Sequence, residues 1–475
     1  MRSNYKTIIS VLSILLLTAC NTLKPVPKIE LRQVPAYYSM GTDTINSAAI
    51  NWRDFFADKN LVSLIDTALK NNPDALIAMQ NIEIAKNNVR LRKGKLFPFV
   101  TAGGEAGFEK AGRYTSQGAG DASADITPGE VVPEHLPNYL VGLNTAWEID
   151  VWGKLRNAKK AAFYKYLQSI DGRNLVTTNL VAEIANSYYE LLSLDNKLDI
   201  IRATIELQQN ALDIVRVQKQ ATVVTELAVK QFEAQVYKLQ AMEYDVRQQI
   251  TETENKINFL AGRFPQPIVR NKTIFKDELP KQVAAGIPSQ MLANRPDIRM
   301  AEYELMAAKC DVKVAKAEFY PSFGITGFVG FNAFKTSYLF TSPQSLAYSL
   351  VGELAAPLVN RSAIVAEFNT AKANQIKALY DYQQSILNGY VEVSNELARI
   401  SNLQQAYTLK NKQVETLTQS IDIAKDLFNS ARADYLEVLV AQRDALDAKL
   451  ELIETKQQQL NAVANIYKAL GGGWK

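Results

Sequence analysis

Hydrophobic positions change period along this chain, and the changes mark its elements. From Asn60 to Leu96, and again from Ser289 to Phe319, helical patterning runs up to Pro98 and Pro321, where a proline cannot continue a helix. Strict alternation follows. Val100, Ala102, Gly104, Ala106 and Phe108 share one face, with Thr101, Glu105 and Glu109 opposite. Tyr139, Val141, Leu143, Thr145, Trp147, Ile149 and Val151 share another, with Asn144, Glu148 and Asp150 opposite. Phe323, Ile325, Val329 and Phe331, then Tyr348, Leu350, Leu354 and Leu358, repeat the pattern. The period predicts strands at 98–109, 138–152, 321–334 and 346–358, about ten residues long and apolar on one side. A half-buried strand of a soluble sandwich would alternate in the same way. The polar or Gly/Ser/Pro-rich segments 112–137 and 335–345 between the strands resemble the long outer loops of a barrel.

Seams of spacing three and four come next. Phe232, Val236, Leu239, Val246, Ile250, Thr253, Ile257 and Leu260 form one. Ile386, Tyr390, Val393, Leu397, Ile400, Tyr407 and Val414 form a second, and Leu436, Leu439, Leu446, Leu450, Ile453, Leu460, Ala464 and Tyr467 a third. Such spacing predicts coiled-coil packing. From Ser362 to Asn429 the only helix breaker is Gly389, so one helix on the order of 100 Å is expected.

The order helix, two strands, two long helices occurs twice because the chain is duplicated. Leu69-Lys70-Asn71-Asn72-Pro73-Asp74 returns as Leu292-Ala293-Asn294-Arg295-Pro296-Asp297, and Gly104, Gly107 and Phe108 return as Gly327, Gly330 and Phe331. Residues 64–108 and 287–331 share 13 of 45 positions, against roughly one in sixteen for unrelated sequences. Leu260-Ala261-Gly262 aligns with Leu470-Gly471-Gly472. The expected copies are 60–262 and 283–475, joined by a linker at 263–282.

The first residues predict export. Arg2 and Lys6 precede an apolar run from Ile8 to Leu17, too short for a permanent membrane helix, and then Leu17-Thr18-Ala19-Cys20. The motif resembles a bacterial lipobox. It predicts a signal peptide over 1–19, a lipid on Cys20 and a Pro-containing tether over 20–59. Asn21, in place of Asp, points to the outer membrane by resemblance to known lipoproteins.

Composition excludes several function classes. Hydrophobic residues are 47% and charged residues 21%, so the chain is not disordered. The net charge of +4 is interspersed, with no basic run to bind nucleic acid. One His and two Cys argue against a metal site or a disulfide framework, and no cofactor is expected. Cys310 sits in a helical stretch and is expected to be packed. His135 lies in a loop without a nucleophile beside it, so no enzyme is expected.

Four membrane strands cannot close a barrel, and an open edge in lipid is prohibitive. The strands must be pooled between chains, as eight from a dimer or twelve from a trimer. The trimer gives strands and helical hairpins one shared bore. Trp52-Arg53-Asp54-Phe55-Phe56-Ala57-Asp58, Leu292-Ala293-Asn294-Arg295-Pro296-Asp297-Ile298, Asp434-Tyr435-Leu436-Glu437-Val438-Leu439 and the ending Tyr467-Lys468-Ala469-Leu470-Gly471-Gly472-Gly473-Trp474 resemble TolC-type outer-membrane efflux proteins over about residues 50–474. With the lipobox, the resemblance is to the lipoprotein branch. It implies a mixed α and transmembrane β fold: a homotrimer with a shared 12-stranded barrel and a periplasmic tunnel of coiled-coil hairpins. It also implies a periplasmic membrane-fusion adaptor, an inner-membrane resistance–nodulation–division pump, outer-membrane lipid as a partner and efflux of drugs or small toxic compounds. A type I protein-secretion channel would share the architecture.

The tips depart from that family, whose hairpins often turn at glycine. Here they read Gln220-Ala221-Thr222 and Ser430-Ala431-Arg432. In a trimer each tip residue appears three times around the axis. Asp434, Glu437 and Glu226 are the acidic candidates for a periplasmic aperture, with Arg432 as a candidate salt-bridge partner.

Overall fold

The computed structural model describes residues 27, 29, 33–38, 46–56, 58–276, 284–359, 361–430 and 432–474. The predicted lipid site, Cys20, lies outside them. Helices α1 (Lys59–Asn71) and α2 (Pro73–Gly94) lead to strands β1 (Phe99–Glu109) and β2 (Leu136–Ile149), then to α3 (Lys154–Gln220) and α4 (Glu226–Leu260). The second half repeats the order with α5 (Pro296–Ala317), β3 (Ser322–Ala333), β4 (Leu346–Ala355), α6 (Ser362–Asn429) and α7 (Tyr435–Ala469).

Contacts divide the chain into two compact units. One holds Ile84–Tyr166 and Tyr303–Leu379, including all four strands. The other holds Glu30–Glu83, Leu167–Glu302 and Tyr380–Lys475, including the hairpin tips. Each unit draws on both halves of the sequence.

The opening helices are broken, contrary to the continuous patterns expected from Asn60 and Ser289. The break at Asn72 is built by its own side chain, which accepts from the Asp74 and Ala75 N–H groups at 2.8 and 3.1 Å. Its amide also donates to the Leu260 carbonyl at 2.9 Å. In the second half Arg295 takes this place. It grips Asp297 at 3.1 and 2.7 Å, Glu392 at 2.8 Å and the Ala469 carbonyl at 2.7 Å. The periodicity runs through both breaks because each proline restarts a helix in its first turn, where its missing N–H costs nothing. Gly389, inside α6, lies against this guanidinium: a Cβ there would approach Arg295 to 3.1 Å.

Each half closes on its own break. Gly262 and Gly471 end α4 and α7 with φ of +65° and +85°, the left-handed cap that favours glycine. A Cβ on either would lie 2.3 or 2.5 Å from the Asn71 or Asn294 carbonyl oxygen, so the Leu-Ala-Gly and Leu-Gly-Gly motifs seat directly on the broken helix.

The main core of this unit gathers Trp52, Phe56, Leu61 and Ile65 with Leu180, Ile184, Tyr188, Leu191, Ile257, Leu460 and Tyr467. Fully burying each such side chain contributes about 1.5–3 kcal/mol. Tyr188 donates to Asp58 at 2.5 Å, and Asp58 in turn caps α1 through the Asn60 N–H. Tyr38 stacks on Tyr390 at 5.3 Å and pins residues 33–38 to α6. The seam of α4 is buried at Phe232, Val236, Leu239, Val246 and Ile257. Leu436 is the exception to the α7 seam. It is 52% exposed, while Val438 is buried and Leu439 packs inward.

The strands form one antiparallel sheet in the order β1-β2-β3-β4, so the two halves meet at β2 and β3. β2 ends at Ile149, short of 152, because Asp150 turns to accept from the Leu155 and Arg156 N–H groups at the start of α3. β4 likewise ends at Ala355, short of 358. The expected outer loop is partly ordered, with a short helix at Ser116–Asp121 and a two-stranded ribbon at Asp125–Thr127 and Glu130–Val131. A Lys335–Glu130 ion pair ties it to the loop that follows β3. His135 is exposed in the loop between β1 and β2, immediately before β2.

Candidate channel-lining sheet and hairpin tips

The strand register brings the four alternating patterns onto common faces. Val100 pairs with Thr145, Leu143 with Val329 and Val329 with Tyr348, so the alternating apolar series read from the sequence share one side in all four strands, while Phe99, Leu140, Phe328 and Val351 lie on the other. The side of the apolar series carries no charged residue. The other side carries Glu105, Glu109, Glu148 and Glu353, the only charged residues of the strands. Its polar groups pair across strands: Thr326 donates to Glu353 at 3.1 Å and Asn332 to Asn138 at 3.0 Å. Gly142 and Gly330 face each other at the junction of the two halves, where a Cβ on Gly330 would lie 2.3 Å from the Val141 carbonyl oxygen. The Phe328 ring lies over this bare backbone and would meet either Cβ at 2.7–2.8 Å. β1 and β4 are the outer strands, and each leaves one edge without a partner strand among the described residues. Phe99, Phe108, Tyr348 and Leu350 are largely exposed on these two strands.

The first tip turns without glycine by placing Thr222 at φ +61°. Its N–H donates to the Lys219 carbonyl at 3.0 Å, and Val223 N–H donates to the Gln218 carbonyl at 2.9 Å, the paired bonds of a left-handed helix cap. At the second tip Arg432 N–H donates to the Leu427 carbonyl at 2.8 Å, repeating the longer bond. Ala431 lies outside the described residues. The two hairpins pack together near their tips, with Tyr435 and Leu439 against a cluster of Leu212, Val215, Ala228, Val229, Phe232 and Val236.

That packing brings the acidic candidates to one end of the unit in different states. Asp434 is exposed at the N-cap of α7, and its carboxylate makes no capping hydrogen bond. Glu437 is exposed in the first turn of the same helix. Glu226 is paired: Lys219 reaches it across the turn at 2.9 Å. That hydrogen bond, and then the lysine's charge, hold the Glu226 carboxyl below its ordinary range. Arg432 is exposed and, among the described residues, makes no ion pair with Asp434 or Glu437 within the chain. The sequence offered Arg432 as the salt-bridge partner and did not point to Lys219, because that pairing depends on the turn being formed. A further cross-hairpin pair, Arg216–Glu233 at 3.5 Å, follows the same logic.

Known proteins resemble this chain in sequence and fold. Solvent efflux pump outer membrane protein SrpC of Pseudomonas putida is 28% identical over 442 residues, covering 92% of this chain and 91% of that protein. Probable outer membrane lipoprotein SilC of Salmonella typhimurium is 26% identical over 477 residues, covering 98% of each. The open-state MtrE outer membrane channel of Neisseria gonorrhoeae has the same fold, with a TM-score of 0.83 at 23% identity, covering 95% of this chain and 99% of that one. The sequence profile described as "Outer membrane efflux protein" matches residues 64–263 and 287–472. With both halves matched, this chain belongs to the outer membrane efflux protein family.

Proposed function

We propose that this outer-membrane efflux protein, a passive exit channel and not an enzyme, works as a homotrimer anchored by a lipid on Cys20. The observation that carries the reading is the sheet, with one charge-free face and two unpaired edges. Edges in a bilayer must be paired, and joining β4 of one copy to β1 of the next removes them all. Three copies give twelve strands, with the carboxylate-bearing side inward and the apolar side toward lipid. The channel's partners in this reading are a periplasmic adaptor and an inner-membrane resistance–nodulation–division pump.

Relatives support the remaining assignments. SrpC is described as a solvent efflux protein, and we assign this duct small toxic compounds as cargo. SilC is described as a probable outer membrane lipoprotein, in keeping with the Leu17–Cys20 motif. In this reading Asp434 lines the periplasmic aperture, flanked by Glu437, with Glu226 and Arg432 on its rim.

Native mass spectrometry of the detergent-solubilised protein should give a trimer. A monomer with a closed barrel would overturn the architecture. The N-terminal peptide should carry an acylated Cys20, and a free N-terminus elsewhere would remove the anchor from the proposal.

A further inference from the structure

We propose that the helix-side foot of the sheet holds an anionic glycerophospholipid of the periplasmic leaflet, its phosphate at Lys159 and Lys160 and an acyl chain against Leu96 and Phe163. The inference rests on the reading that the apolar sheet face meets lipid. A cavity of about 340 Å³ is lined by Leu96, Arg156, Lys159, Lys160 and Phe163. Spacings of three and four place the last four on one face of α3.

The cations around this cavity are not in the same state. Arg156 is held by Asp150, through Nε to the carboxylate at 3.0 Å and through a terminal nitrogen to the carbonyl at 3.1 Å. Lys154, two residues earlier, pairs with Glu148 at 2.5 Å and Glu318 at 3.6 Å. Among the described residues neither Lys159 nor Lys160 has a carboxylate partner; the Lys160 ammonium stands 5.9 Å from the Tyr164 ring centre. Two unneutralised ammonium groups beside a 45% exposed phenylalanine match a phosphate joined to a hydrocarbon chain, and match a hydrophilic anion poorly.

Position selects the leaflet. The Leu96 carbonyl accepts from Trp147 Nε1 at 3.1 Å, and Trp147 stands on the charge-free sheet face. Nearby, Trp152 stacks on Tyr320 at 4.7 Å and donates to the Pro321 carbonyl at 2.7 Å. Such amphipathic aromatic groups suit the headgroup level. The loops lie at the opposite end of the strands, so this foot meets the periplasmic leaflet, where glycerophospholipids reside.

The test uses the full chain in phosphatidylcholine vesicles containing brominated phosphatidylcholine or brominated phosphatidylglycerol at equal mole fraction. Both should quench tryptophan fluorescence, and phosphatidylglycerol should quench more at low fraction. Lys159→Gln/Lys160→Gln should lower the preference for phosphatidylglycerol about tenfold. Lys159→Arg/Lys160→Arg should retain it. So should Lys93→Gln/Lys95→Gln, which removes two exposed cations outside the cavity. Equal quenching by both lipids in the parent, or an excess that survives in the double glutamine variant, overturns the site while leaving the membrane reading intact. Absence of quenching by either lipid overturns both.

Discussion

Thr222 illustrates what a single residue decides here. A β-branched side chain at φ +61° is strained, and local bonding offsets only part of that: its hydroxyl donates to the Ala221 carbonyl at 2.7 Å. Thr222→Gly should therefore stabilise the first tip by about 1 kcal/mol. The measurement is amide exchange at Val223, whose N–H bonds the Gln218 carbonyl; protection should rise about fivefold, and no change would show that the turn is not strained. The charge pair beside it acts more weakly. Glu226 is exposed, and its carboxyl is lowered by Lys219, so its contribution is present above the ordinary carboxylate range and fades as pH falls through the lowered value. Cys310 lies at the inert end of the scale. It is 4% exposed, and burial pushes its thiol up, so the thiolate that would react is suppressed.

At the scale of elements, regular patterns were legible in the sequence and their interruptions were not. Period-two alternation located four strands, and 3–4 spacing located the long helices, because both periods are imposed by burial along one face. The helix breaks at Asn72 and Arg295 were hidden, since they are held by partners 188 and 174 residues away, the Leu260 and Ala469 carbonyls. The exposure of Leu436 was hidden for a related reason. Heptad spacing fits it as well as Leu439, but the turn into α7 presents Leu439 to the cluster around Phe232. The candidate tip charges were legible as residue types; the Lys219 partner that neutralises Glu226 became evident only with the turn formed. A direct consequence is measurable. Leu439→Ala should destabilise hairpin packing by about 2 kcal/mol, and Leu436→Ala by well under 1 kcal/mol. Chemical denaturation in detergent, followed by fluorescence or by exchange in α4 and α7, separates them. Equal costs would place Leu436 in a seam between copies.

For the whole molecule, duplication and the open sheet edges both favour the proposed trimer, in which three chains with two hairpins each would form a ring and every tip residue would occur three times. The candidates then differ in what they bring to the axis. Glu226 carries its own lysine, so three copies add little net charge. Asp434 is exposed, has no capping bond and leaves its charge free, so three copies make a ring of unneutralised carboxylates. Repulsion within such a ring is modest in bulk water and grows where protein walls exclude solvent; passing cations relieve it. Planar-bilayer recordings of the parent should therefore show cation preference and block by multivalent cations. Asp434→Ala should reduce the cation-to-anion permeability ratio by about two- to fivefold and weaken the block. The double variant Lys219→Gln/Glu226→Gln should change neither, because it removes a pair that is already neutral. Trimer yield should be unchanged in both variants, since neither carboxylate lies in a buried seam. If Asp434→Ala leaves selectivity and block at parental values, the aperture is not built on Asp434. The exposed Glu437, one turn further into α7, is then the carboxylate to remove next.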